Sequence, residues 1–192
     1  MKNLLRTELG LDIGHEYVQR DGTCSLYFFD PKLDNYPLIP WGPPKGKNAH
    51  VGQKMADYKF DHIFHQVRNP LLVIPSIAMI YSRPIIDWFV ECGICPEDVP
   101  RLHKAMYIWE HTCMMADKIA EYRYRIEDIY QEWGTITAKL DYKDAPPLEN
   151  VKHQHRASKS RKKVIDVQKL KDTDKLLARA ILQRARKYKY DL

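Results

Sequence analysis

Nine side chains, Ala105, Ile108, Thr112, Met115, Ile119, Tyr122, Ile126, Ile129 and Trp133, follow one another at alternating intervals of three and four residues. That recurrence holds them on one face of an α-helix and is the seam pattern of helices packed against helices. It predicts one long helix over about 101–133, stopped by Gly134, a rod of about 45 Å at 1.5 Å per residue. A chain of 192 residues must wrap such a rod in other elements or pair it with a neighbour. Tyr, Trp and Thr in the seam favour the spine of a helical bundle over a dedicated coiled coil. Ile119, Tyr122 and Ile126 are the seam positions expected to meet a partner.

The rest of the chain arranges itself around that spine. In "EYVQRDGTCSLYFF", Asp21-Gly22 separates two segments rich in strand formers, and an Asp-Gly pair favours a tight hairpin turn, so a β-hairpin is expected near the N-terminus. Pro31, Pro37, Pro40, Pro43 and Pro44 follow. They remove backbone donors and fix φ, which predicts an extended arm of partly polyproline character. Its Tyr36 and Trp41 are expected to dock on the protein's own helices or on a neighbouring subunit. "QKMADYKFDHIFHQVRN" places Phe60, Ile63, Phe64 and Val67 at helical spacing up to Pro70. Pro84 suits the first turn of a further helix and Gly93 its C-terminal cap. Pro146-Pro147 break the chain before a polar linker, and 164–192 reads as a terminal helix capped at Asp172 or Thr173. The expected fold is mainly α: an N-terminal hairpin and arm (1–54), a helical core (55–140), a basic linker (141–163) and a basic C-terminal helix (164–192).

Charge is distributed unevenly along this plan. The net charge is +6, yet residues 151–192 carry 14 of the 31 Lys and Arg against 4 of the 25 Asp and Glu. The remainder is slightly acidic. Such a tail points to a polyanionic partner: nucleic acid, an anionic membrane or an acidic protein. The candidate contacts to phosphate are Lys152, Arg156, Lys159, Arg161, Lys162 and Lys163 in the linker, and Arg179, Arg184, Arg186, Lys187 and Lys189 in the helix. Tyr188 and Tyr190 are placed to stack on bases. A membrane role fits less well, because the tail helix has no Trp or Phe anchor. The apolar run "NPLLVIPSIAMIY" is shorter than the about 20 residues a bilayer requires. No secretory signal is evident at the N-terminus.

Motifs with catalytic chemistry are absent from the sequence: no P-loop, no dinucleotide fingerprint and no nucleophile elbow. "GPPKGKN" superficially resembles a phosphate loop, but its prolines lack the N–H groups a phosphate cradle uses. Cys92 and Cys95 form a C-x2-C with His103, His111 and Cys113 downstream, the one zinc-like constellation. His111 and Cys113 diverge on a helix, so metal binding at Cys92, Cys95, His103 and Cys113 is the weaker reading beside buried structural cysteines. With no signal peptide, reduced thiols in a cytosol or organellar matrix are expected. His62 and His65 could share a helical face but have no evident set of ligand partners. The helix–Gly93–helix stretch has roughly the spacing of a helix-turn-helix, but Phe89, Pro96 and Pro100 stand where that motif wants small or helical residues.

These features together predict a non-enzymatic protein without a cofactor or small-molecule substrate. Its expected role is a structural subunit of a nucleic-acid-containing assembly, such as an organellar ribosomal subunit, with RNA ahead of DNA as partner and protein subunits as neighbours. A virion or DNA-packaging factor, and a protein-binding regulator free of nucleic acid, are the alternatives.

Overall fold

The computed structural model describes residues 2–15, 20–24, 59–80, 83–142, 144–145, 147–148 and 164–192. The architecture is mainly α, as expected, with two small parallel strand pairs. In chain order the elements are α1 (Lys2–Leu9), β1 (Ile13–His15), β2 (Gly22–Cys24), β3 (Phe64–Val67), α2 (Pro70–Ile80), α3 (Arg83–Glu91), α4 (Arg101–Ile119), β4 (Tyr122–Arg125), a 3-10 turn (Ile126–Asp128), α5 (Ile129–Lys139), α6 (Val167–Thr173) and α7 (Lys175–Lys187). No helix among the described residues is long and apolar enough to cross a membrane. The arm carrying Tyr36 and Trp41, and the linker carrying Lys152, Arg156, Lys159, Arg161, Lys162 and Lys163, lie outside the described residues.

Proline, asparagine and glycine set the limits of the central helices. Pro70 opens α2 where its missing N–H is not needed, and Asn69 Oδ1 accepts the Leu71 N–H at 2.9 Å. Pro84 sits in the first turn of α3. Gly93 ends α3 with φ +69°, and the Ile94 N–H reaches back to the Phe89 carbonyl at 2.9 Å, the C-cap expected of that glycine. Nine residues separate Glu91, the last of α3, from Arg101, the first of α4, so the corner is no helix-turn-helix. Ile74, Phe89, Ala105, Met106 and Ile108 pack between α2, α3 and α4 in the larger core.

Three expectations are corrected. The long helix does not form, because α4 stops at Ile119, Ala120 is extended, and the chain runs as strand β4 before α5 resumes. Tyr122 and Ile126 are four residues apart, a separation that satisfies a strand period of two as well as a helical period. The Tyr-Arg-Tyr-Arg run resolves the ambiguity toward a strand that pairs with β3, Phe64 opposite Tyr122 through Val67 opposite Arg125. The same pairing turns Phe64–Val67, read as helical, into β3. Gly134 lies inside α5, which closes at Asp141 with φ +62°. The hairpin also gives way, since β1 and β2 pair in parallel. Asp21 sits in a turn and also latches the chain: Asp12 N–H donates to Asp21 Oδ2 at 2.6 Å and Asp21 N–H to the Asp12 carbonyl at 3.1 Å.

The C-terminal helices complete the larger core. Leu170, Ala178, Ile181, Ala185, Tyr188 and Tyr190 are buried in the same cluster as α2, α3 and α4. Burying one such Leu or Ile side chain is worth about 1.5–3 kcal/mol. Pro75 prepares one of the attachments. Lying inside α2, it has no N–H for the Leu71 carbonyl, and Ile165 donates there instead at 3.3 Å. A second, smaller core gathers Leu5, Ile13, Tyr124, Ile129, Trp133 and Ile136.

Candidate nucleic-acid interface

Helix α7 starts at Asp174, whose side chain accepts the Leu177 N–H at 2.9 Å. The terminal helix is therefore two helices hinged at this residue, capped just after the expected Asp172 or Thr173. Asp166 caps α6 in the same way, accepting the Lys169 N–H at 2.7 Å. His103 approaches Asp174 Oδ2 at 2.8 Å through Nε2, which commits that imidazole to the cap. The Leu177 N–H bond, followed by the His103 contact, holds the Asp174 carboxyl below its ordinary value despite the opposing effect of burial.

From Lys175 to Tyr190 the sequence holds six Lys or Arg and no carboxylate. Helical geometry sorts these cations. Ala178, Ile181, Leu182 and Ala185 face the core. Arg184 leans toward α4, where Glu110 and Asp117 are seven residues apart and so share one face. Its Nε and Nη2 donate to Glu110 Oε1 at 2.9 and 2.7 Å, and its Nη1 to Asp117 Oδ2 at 3.0 Å. Lys187 Nζ also donates to Asp117 Oδ2, at 2.9 Å.

Asp117 is a hub with a side chain only 7% exposed. Its Oδ1 accepts from Arg123 Nε at 2.9 Å and Nη2 at 2.7 Å, and lies 3.1 Å from His65 Nδ1. Strands β3 and β4 and helices α4 and α7 thus meet on one carboxylate. Burial alone would raise the Asp117 value, but the Lys187 hydrogen bond and the Arg123 charge, with Tyr188 and His65, bring it below the usual carboxylate range. Burial drives His65 the other way for a base, down to about 4 against an ordinary 6.5, with Asp117 only partly offsetting it. His65 is therefore neutral near pH 7. It meets the Tyr188 ring edge-on at 5.6 Å, and the Arg123 guanidinium lies 4.8 Å from the same ring centre.

Tyr188 and Tyr190 are 3% and 7% exposed. Lys189 between them takes φ +62°, and the Tyr190 N–H returns to the Ala185 carbonyl at 3.0 Å, turning the ring back into the core. The Tyr190 hydroxyl donates to Glu127 Oε2 at 2.7 Å, and Arg125 lies 5.3 Å from its ring centre while donating to the Lys189 carbonyl. The base-stacking role expected of the two tyrosines is therefore corrected: they are core residues.

What remains toward solvent on α7 is Lys175, Arg179 and Arg186, with Lys189 beyond its end. None of the four has a side-chain ion pair among the described residues. Lys187 is 55% exposed and can exchange Asp117 for water. Of the expected phosphate contacts in this helix, Arg179, Arg186 and Lys189 are presented openly, Lys187 partly, and Arg184 is bound internally at 17% exposure.

The other candidates part company. Burial raises the Cys95 thiol to about 11 and the Cys113 thiol to about 12, so both stay protonated and poor as ligands. Cys92 is half-buried. Among the described residues no group of three or more His, Cys, Asp and Glu is arranged to hold a metal ion. Ile119, Tyr122 and Ile126 are all half-buried. Tyr122 and Ile126 pack against the smaller core, Tyr122 hydrogen-bonds Glu132, and α4 ends at Ile119, so the three do not share one helical face. His62 approaches Glu121 at 2.9 Å, away from the His65 hub. The chain matches no protein-family model, no curated protein and no solved structure at a significant level.

Proposed function

We propose that this protein is a non-catalytic binding subunit of a nucleic-acid-containing assembly, touching phosphate backbone through its basic C-terminal segment. The supporting observation is the division of labour on α7. Arg184 is neutralised by Glu110 and Asp117, while Lys175, Arg179 and Arg186 face solvent on a helix whose other side is built into the core, with Lys189 exposed just beyond its end. Cations held out on a fixed helix lose little freedom when they meet phosphate, and each neutralised phosphate releases counterions. The six further Lys and Arg of residues 151–163 extend the same positive run in sequence.

The test is salt-dependent binding of the purified chain to RNA and DNA. Affinity that falls by orders of magnitude between about 50 and 200 mM salt supports the reading. No binding at low salt refutes it. Replacing the six linker cations by glutamine should weaken binding without abolishing it.

A further inference from the structure

The C-terminal segment also carries a discrimination between kinds of nucleic acid, which rests on the phosphate-binding reading above. Lys175, Arg179 and Arg186 stand at i, i+4 and i+11, within about 40° of one another around α7, while Arg184 lies about 160° away on the flank that faces α4. The three make a straight row of roughly 16 Å along a helix that cannot bend away from its core. The core side of that helix is Ala178, Ile181, Leu182 and Ala185, and its far end is fixed by the Asp117 hub.

Single strands are held by stacking unpaired bases on aromatic rings, worth about 1–3 kcal/mol per base. The helix that carries the row has no exposed ring to offer: 164–192 contain only Tyr188 and Tyr190, both buried. Residues 149–163 contain no Phe, Tyr or Trp, and their rings are the two imidazoles of His153 and His155. Between the row and the rest of the exposed face lie Leu176, 79% exposed, and Gln183. A double helix carries one charge per about 1.7 Å of axis, twice the density of either strand alone, and holds it in a line as stiff as α7. We infer that the Lys175–Arg179–Arg186 row grips the phosphate backbone of a double-helical nucleic acid, without stacking on bases.

Fluorescence anisotropy on the full chain tests this with a short labelled RNA duplex, a DNA duplex, an unstructured oligouridine of equal phosphate number and a polyglutamate of matched charge. Both duplexes should bind at least about tenfold more tightly than the oligouridine or polyglutamate. The Arg179→Gln/Arg186→Gln double variant, altered only at exposed positions, should lower the log–log salt slope for duplex by roughly two. Its urea midpoint should match the parent's. Oligouridine or polyglutamate bound as tightly as duplex overturns the inference and leaves phosphate binding standing. An unchanged slope in the double variant does the same, by moving the grip to residues 151–163. Failure of all four probes to bind at low salt removes the underlying reading itself.

Discussion

Asp117→Asn is the sharpest perturbation of this fold. The substitution preserves shape and one acceptor oxygen but removes the charge that Arg123, Arg184 and Lys187 share. Taking one partner from a buried ion pair costs about 3–5 kcal/mol, because the remaining charges stay desolvated. Lys187 is more than half exposed and can turn to water, and Arg184 keeps Glu110. The low end of the range therefore applies, about 3 kcal/mol. At about 2–4 °C per kcal/mol for a chain of this size, the melting temperature should fall by about 6–12 °C. Urea unfolding followed by circular dichroism measures the loss, and amide exchange should localise it to α7 and β4. A cycle with Arg184→Met should give a coupling of about 1–3 kcal/mol. A loss below about 1 kcal/mol, the scale of ordinary surface pairs, or no coupling, would refute the hub as a fastening point.

Further consequences are measurable. His65 has a folded value of about 4 against 6.5, so the unfolded chain binds its proton first on acidification. Stability due to this group is complete above 6.5 and is lost as pH falls toward 4, by up to about 3 kcal/mol. Asp117, held below its ordinary 3.8, adds a further loss as pH drops through its folded value. His65→Gln should flatten the dependence of urea midpoint on pH between these limits. Removing residues 164–192 should yield aggregated chain, not a soluble body with weak polyanion affinity, because it uncovers the core around Phe89 and Met106. Size-exclusion chromatography distinguishes the two. Lys189→Gly relieves a left-handed backbone and should stabilise the protein by about 1 kcal/mol while lowering the duplex salt slope by about one. In native protein Cys92 should react with iodoacetamide well before Cys95 and Cys113, whose alkylation should await unfolding, as peptide mapping will show.

Part of the helical content was legible because Pro84 and Gly93 act locally: a missing N–H or a positive φ is a property of one residue. Pro70 stands where the spacing predicts the end of a helix and instead opens one, α2. The break at Ile119 was not legible, since its apolar spacing fits either period and the decision lies with Phe64, 58 residues away from Tyr122. The Asp-Gly pair misled for a related reason. The Asp21 carboxylate found the Asp12 amide, a longer-range partner than a turn supplies. In the tail, the count of cations was readable and their sorting was not. Arg184 and Arg179 are alike in sequence context, and only the carboxylates of α4 separate them. One clue existed: Glu110 and Asp117 fall on one helical face within an otherwise apolar pattern, an acidic pair that asks for a basic neighbour. Tyr188 and Tyr190 looked available only because nothing local reveals that Lys189 turns back toward the core.

Pro75 imposes an order on synthesis. A helix with proline in its interior leaves the Leu71 carbonyl without a partner, and the amide that answers it belongs to Ile165, translated some ninety residues later. At about 5–20 residues per second, α2 waits several seconds for that amide and for the side chains of α6 and α7. During the wait Ile74, Phe89 and Met106 have no C-terminal cover. The nascent chain should therefore depend on chaperones until residue 190 has emerged, and codons that slow ribosomes between 110 and 165 should lower the yield of native protein.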